Sequence, residues 1–223
     1  MLNIEIKNPE VIEVLNDYSE YISERFHSGH MNKTLRINCL EHTRDRWLAD
    51  DYRERIMQRH RAHDGFPESM RCFHGTMPSA DHKIVSDDYN SALEYRNKAI
   101  EVNQNLMTIL SAKRNTLCTT YPPGGWISWH NNANASGYNI LFTWSENGNG
   151  WFDYWDMEKK ERVRVQDVPG WQCKMGYFGS YDEGEEKLCY HAASTDCLRI
   201  TVAYVFGQAD HFWKDVVEDI SSE

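Results

Sequence analysis

Two histidines stand in surroundings suited to holding one metal ion. His130 closes the stretch Tyr121-Pro-Pro-Gly-Gly-Trp-Ile-Ser-Trp-His130, and Asn132 lies two residues beyond it. His191 follows Cys189 and Tyr190 about sixty residues further on, and a β-patterned run carrying Arg199 and Thr201 comes next. Imidazole suits iron, and two imidazoles with one carboxylate on a single face leave three coordination positions open. A bidentate 2-oxo acid fills two of these and O₂ the third. If residues 126 to 132 are extended, His130 and Asn132 project to the same side, as alternate residues of a strand do. A closed sheet must then bring His191 opposite them from a distant strand. The far carboxylate of a diacid needs a buried cation, and Arg199 can make a charge-assisted, bidentate contact with it. Thr201, on the same face of that strand, adds a hydroxyl; such charged hydrogen bonds contribute about 1.5–3 kcal/mol each.

The third ligand of such a site is usually an acid, and position 132 holds an amide. Three arrangements are open. The Asn132 oxygen could bind iron as a neutral ligand. The position could be left to water or a halide. Asp153, on a neighbouring hairpin, could supply the carboxylate instead. An amide in place of an acid leaves the site one unit more positive, which favours an anion there.

The elements that must position these residues divide the chain in two. Asn8-Pro9-Glu10 is a helix start, with a capping Asn, Pro at the first helical position and an acid for the dipole. Val11, Leu15, Tyr18, Ile22 and Phe26 then recur at helical spacing. A second helix is expected from about Ser86-Asp87-Asp88, with the stripe Ala92, Tyr95, Ala99, Val102, Leu106 and Ile109. Between them lie a weaker helix near residues 43–61 and a loop rich in His, Gly and Pro near 63–83. From Thr116 the texture changes to eight short β-type runs: 116–121, 126–130, 138–144, 151–155, 162–165, 171–178, 188–191 and 198–206. Pro122-Pro-Gly-Gly125, Asn147-Gly-Asn-Gly150 and Pro169-Gly170 punctuate them. Many short strands with no helix between them indicate a jelly roll. The last run puts Leu198, Ile200, Val202, Tyr204 and Phe206 on one face and Arg199, Thr201 and Ala203 on the other. The expected class is therefore α+β with a mainly β core, a double-stranded β-helix whose N-terminal helices cover one sheet. Residues 1–223 form one domain in this scheme: a helical part to 115, a β core over 116–208 and a final helix within 209–223.

The bulk properties set limits. The net charge of −10 argues against duplex nucleic acid as a partner, because phosphate binding needs a basic surface. Six cysteines without a Cys-x-x-Cys pair do not form a disulfide framework in a chain of 223 residues. No apolar run is long enough to span a membrane, and the N-terminus has no signal-peptide pattern. A cytoplasmic protein is expected. The oligomeric state is not legible. The histidines other than 130 and 191 match no second metal spacing and are expected to face solvent. The acidic run Asp182–Glu186 is expected to be a solvated loop.

Residues 116 to 208 resemble the catalytic core of the 2-oxoglutarate and Fe(II)-dependent dioxygenases, closest in layout to the prolyl 4-hydroxylase-like branch. The resemblance is carried by Tyr121 with its Gly pair, Trp129-His130-x-Asn132, the Gly148-Asn-Gly150-Trp-Phe hairpin, Pro169-Gly-Trp, His191 and Arg199-x-Thr201. It implies Fe(II) on His130 and His191, with Asn132 in the acid's place. It also implies 2-oxoglutarate held by Tyr121, Arg199 and Thr201, with O₂ as the other cosubstrate. The implied catalytic set is His130, His191 and Arg199. The implied reaction is hydroxylation of a C–H bond in a protein side chain, an amino acid or a small molecule. Asn132 keeps two alternatives in view: a halogenase-like oxygenase, and a binding module that has lost its metal carboxylate and its activity.

Overall fold

The computed structural model describes residues 1–31, 41–75, 89–207 and 210–222. The first helix, α1 (Pro9–His27), starts as its cap residues dictate. The Asn8 side-chain oxygen accepts from the backbone N–H groups of Glu10 at 3.0 Å and Val11 at 3.2 Å, which is worth ~1 kcal/mol. Two short helices follow, α2 (Arg44–Leu48) and α3 (Asp50–Arg59). The long helix α4 (Tyr89–Ile109) lies beside α1. The expected start of α4 at residues 86–88 lies outside the described residues. A last helix, α5 (Asp210–Ser221), returns to the N-terminus, where the Ile220 carbonyl accepts from the N–H groups of Lys7 and Asn8.

The strands form two antiparallel sheets. The six-stranded sheet has the order β1 (Leu2–Ile4), β9 (Gly170–Phe178), β6 (Gly137–Ser145), β11 (Arg199–Val205), β4 (Arg114–Tyr121), β3 (Phe73–His74). The five-stranded sheet has the order β2 (Met70–Arg71), β5 (Gly125–His130), β10 (His191–Thr195), β7 (Gly150–Asp156), β8 (Glu161–Gln166). From β4 onward the chain crosses between the sheets at nearly every connection. Only the β7–β8 hairpin stays within one sheet. Strands distant in sequence therefore become neighbours, and β10 is paired with β5 on one side and β7 on the other.

Each sheet has an outer face under helices and an inner face toward the other sheet. On the six-stranded sheet, Ile140, Phe142, Cys173, Met175, Leu198, Ile200, Val202 and Tyr204 pack with Val11, Leu15, Tyr18 and Ile22 of α1 and Tyr95, Ala99, Val102 and Leu106 of α4. The alternation expected along the last strand is thus present. The expectation of helices on one sheet alone is corrected, because α2 and α3 cover the other. Leu48, Tyr52 and Ile56 pack on Trp126, Trp129 and Ala192, which face outward from β5 and β10. One further expectation shifts. The strand expected over 188–191 begins at His191 and runs to Thr195. The short strands β1, β2 and β3 were not legible, since pieces of two or three residues have no measurable period.

Between the sheets lies a third apolar cluster of Tyr121, Ile127, Leu141, Phe152, Phe178, Ala193 and Ala203, with Cys72. The candidate site borders it.

Candidate metal centre

His130 is the last residue of β5 and His191 the first of β10, and the two are direct cross-strand partners. A register irregularity between His191 and Ala193 brings the histidines into one row while Ala193 keeps its partner Ile127. Their ring centroids are 4.1 Å apart with the planes at 51°. Both side chains are buried. Each Nδ1–H donates to a carbonyl two residues back, His130 to Ser128 and His191 to Cys189, both at 2.8 Å. The carbonyl can only accept, so both rings are held in the tautomer whose Nε2 carries the lone pair. Burial pulls both pKa values down. His191 falls from 6.5 to about 4, and His130 lies well below its usual range through burial and its neighbour His191. Both are neutral at physiological pH, the state that binds a metal. Phe152 stacks on His191 at 5.4 Å and Phe178 meets it at 4.8 Å. Those two rings belong to the inter-sheet cluster.

The two candidates for the acid's place stand differently. Asn132 does not continue the strand. β5 ends at His130, and Asn132 has φ 53° and ψ 20°, the left-handed conformation that Asn tolerates, with its N–H donating to the Gly65 carbonyl at 3.0 Å. The strand alternation that would aim its amide alongside His130 is therefore absent. Asp153 is corrected outright. It pairs with Ala192, while Tyr154 pairs with His191, so Asp153 lies on the outer face. There it is buried between Arg164, which donates from Nε at 2.8 Å and Nη2 at 2.9 Å, and Arg162. Among the described residues no group of three His, Cys, Asp or Glu side chains stands close enough to hold a metal ion.

Arg199 opens β11 and is buried. Its Nε donates to Asp167 at 2.7 Å and its Nη1 to the Thr201 hydroxyl at 2.7 Å, and its guanidinium lies 5.5 Å from the centre of the Tyr121 ring. The two cations of this cluster share one acid, for Lys174 of β9 donates to the other Asp167 oxygen at 2.9 Å. Burial alone would raise the Asp167 pKa, but Arg199 and Lys174 outweigh it and hold the carboxyl below its usual range. Burial lowers Lys174 to about 8, against the opposing pull of Asp167. Two cations and one anion leave a net positive charge, which a carboxylate ligand would neutralise.

The hydroxyls of the neighbouring side chains are mostly unspent. Thr119, Thr201 and Thr143 form one row across β4, β11 and β6. The buried oxygens of Thr119, Thr143 and Tyr121 have no hydrogen-bond partner among the described residues beyond the contact between Thr119 and Tyr121. A buried hydroxyl left unpaired costs about 1–3 kcal/mol, so these oxygens, one on the ring beside the Arg199 guanidinium and two on strand neighbours of Thr201, suit an oxygen-rich ligand. Lys174, Asp167 and the two threonines were not singled out by sequence. The one available signal was phase: Lys174 lies on a strand between Cys173 and Met175, both of which face the helices.

Fe(II) and 2-oxoglutarate suit these groups in part. The imidazole pair and the cationic, hydroxyl-lined pocket match such ligands, while the acid of the metal set has no counterpart. No family model matches the chain, and no curated protein does. Among solved structures it is similar to a prolyl-4-hydroxylase from Pseudomonas putida, at 12% identity over 90% of this chain and 89% of that one, with a TM-score of 0.38. It is also similar to a prolyl hydroxylase from Trichoplax adhaerens solved with a peptide fragment of the hypoxia inducible factor oxygen degradation domain. That match has 10% identity over 93% and 96% of the two chains and a TM-score of 0.34. At these values neither likeness decides the chemistry, which rests on the geometry above.

Proposed function

We propose that this protein is a 2-oxoglutarate-dependent, non-haem Fe(II) oxygenase that hydroxylates a C–H bond of a protein side chain, an amino acid or a small molecule. One observation carries the reading. Two buried, neutral imidazoles with the same tautomer face each other on adjacent strands, and they border the same interior cluster as a buried guanidinium that lies beside Tyr121 and donates to Thr201. The strand order supports it too, because alternate placement of successive strands in two facing sheets is the pattern of a jelly roll.

In this reading His130 and His191 hold the metal through Nε2, each ring kept from turning by its Nδ1 bond. Arg199 and Lys174 bind the far carboxylate of 2-oxoglutarate, with the hydroxyls of Tyr121, Thr119 and Thr143 donating to it. Asp167 orients the two cations and keeps their mutual repulsion in check. Thr201 fixes the guanidinium from the other side. The metal and the oxo acid supply the oxidation of the C–H bond when bound. The chain's part is to align them and to keep water out through Phe152 and Phe178.

The test is succinate formation coupled to O₂ uptake, with the anaerobic visible charge-transfer band of Fe(II) and 2-oxoglutarate as a binding readout. Wild type should give both, and His191→Ala should abolish both. A wild-type protein with neither signal would remove the oxygenase reading. Arg199→Ala should weaken 2-oxoglutarate binding and leave metal affinity within about threefold, since it removes a single charged contact on the sheet opposite the imidazoles.

A further inference from the structure

The acidic segment after β9 is less free than its composition suggests. The side chains of Asp182, Glu185 and Glu186 are exposed, as a solvated loop requires. The backbone is nevertheless held. Ser180 and Glu183 form a capping box on the short turn Tyr181–Glu183, and the Gly179 N–H donates to the Lys187 carbonyl at 2.9 Å. This loop runs through Leu188, Cys189 and Tyr190 directly into His191. Tyr181 ties it to the other metal-bearing strand. Its hydroxyl accepts from Asn131 Nδ2 at 2.7 Å, and Asn131 is the buried residue that follows His130. The same hydroxyl donates to the His63 carbonyl at 3.3 Å. His63 is only 1% exposed, which corrects the expectation that it faces solvent. The Asn131 side-chain oxygen accepts from the Ala133 N–H at 3.0 Å, so both ends of the amide are fixed. The Tyr181 ring packs on the cluster that holds Trp129, Ala133, Leu188 and Tyr190, and Arg61 Nη2 donates to its carbonyl at 3.2 Å.

We propose that Tyr181, acting through Asn131, is a positioning residue of the metal centre. Its hydroxyl clasps the segment leaving His130 to the loop entering His191 and so sets the separation of the two imidazoles. The need for a clasp follows from where the histidines stand. β5 ends at His130 and β10 begins at His191, so the strand ladder supports each of them on one side only. The register irregularity beside them weakens that support further. A ligand pair must be held within about 0.5 Å of its productive geometry, and strand ends open more readily than strand centres. The ion pairs of this region, Arg61 with Asp182 at 2.6 Å and His60 with Glu185 at 2.8 Å, are exposed and contribute little. The Tyr181–Asn131 bond therefore carries the tie. The inference rests on the metal-binding reading of His130 and His191 for its consequence, while the clasp itself is a set of protein contacts.

Tyr181→Phe keeps the ring and removes the hydroxyl, and Asn131→Ala removes the amide. The imidazole N–H resonances of His130 and His191, read by NMR without metal, test the clasp directly. Both variants should shift or broaden them, whereas Leu106→Ala, which destabilises the fold from α4, should not. Co(II) titration followed in the visible range tests the consequence. Wild type should bind one Co(II). Each variant should bind it about tenfold or more weakly, with an altered visible spectrum at saturation. The double variant should be no weaker than the worse single one, because both changes break the same tie. Unchanged imidazole signals in Tyr181→Phe would overturn the clasp, and so would a Co(II) affinity and spectrum equal to wild type. Additive losses in the double variant would overturn it as well. A wild type that takes up no Co(II) while the imidazole signals do shift would remove the metal-binding reading and leave the clasp standing.

Discussion

At the residue scale, the chemistry depends on groups that burial has pushed from their usual protonation. His191 and His130 are neutral because their charged forms would lie in an apolar interior. The consequence for stability has a definite sign. Both folded-state values lie below the ordinary 6.5, with His191 at about 4, so between those values the unfolded chain binds more protons than the folded one. Stability of the metal-free protein should therefore fall as pH drops from 6.5 toward 4. Urea midpoints across that range check it, and the loss should be smaller in His191→Gln. Lys174 gives a second test. With its pKa lowered to about 8, it becomes neutral above that pH and offers less to an anion. Affinity for a dicarboxylate such as the non-reactive N-oxalylglycine should fall above pH 8. In Lys174→Met the affinity should be about tenfold or more weaker at neutral pH, from the loss of one charged hydrogen bond, and that pH dependence should vanish. The residues picked out by type, His130, His191, Arg199, Thr201 and Tyr121, are all buried. His63 and Lys174 were not picked out, because a lone histidine in a loop and a lone lysine in a strand look like solvent-facing residues until their neighbours are known.

At the element scale, the strands were readable from alternation and the ends were not. β10 is read from its apolar small residues only once β5 and β7 flank it, which is why its start was placed too early. The extension assumed for Asn132 failed for a related reason: the chain turns through a left-handed residue at the end of β5, and Asn permits that turn without strain visible in sequence. The Asn147-Gly-Asn-Gly150 turn does more than punctuate. A Cβ on Gly150 would stand 2.6 Å from Asp167 Oδ2, 3.0 Å from Thr195 Oγ1 and 3.2 Å from Arg199 Cδ. The absence of a side chain there lets Asp167 and Arg199 meet. Gly150→Ala should displace that pair, destabilise the fold by about 1–3 kcal/mol and weaken dicarboxylate binding, while leaving Co(II) affinity unchanged. Denaturation and the two titrations separate these effects.

At the scale of the whole molecule, two helical layers enclose a pair of sheets, and the layers differ in what they support. α1 and α4 back the sheet that carries Arg199 and Lys174. α2 and α3 back the sheet that carries the histidines, with the buried Arg53 guanidinium 3.8 Å from the centre of the Trp155 ring and 5.8 Å from that of Trp129. Trp129 lies next to His130 and its indole N–H donates to the Leu48 carbonyl at 3.1 Å. Trp129→Ala should therefore cost about 3–5 kcal/mol and also weaken Co(II). Leu106→Ala in α4 should cost about 2–5 kcal/mol and leave metal affinity of the folded protein intact. Urea denaturation paired with Co(II) titration distinguishes the two. Among the described residues no helix is long and apolar enough to cross a membrane. Those cysteines that are described, Cys72, Cys118, Cys173, Cys189 and Cys197, are all free thiols.

The amino-acid sequence by itself determined which short segments are extended, which face of the last strand is apolar, and which side chains are of types that can ligate a metal or hold a carboxylate. These follow from residue type and from periods of two or 3.6 residues, which are local properties. Only the tertiary structure decided that Asp153 belongs to two arginines on the outer face, that Lys174 shares an acid with Arg199, and that His63 is buried beside the end of β5. Each of those is a contact between segments far apart in the chain. Burial and pairing across such distances arise when the two sheets close on each other, and no local pattern encodes which neighbours that closure will supply.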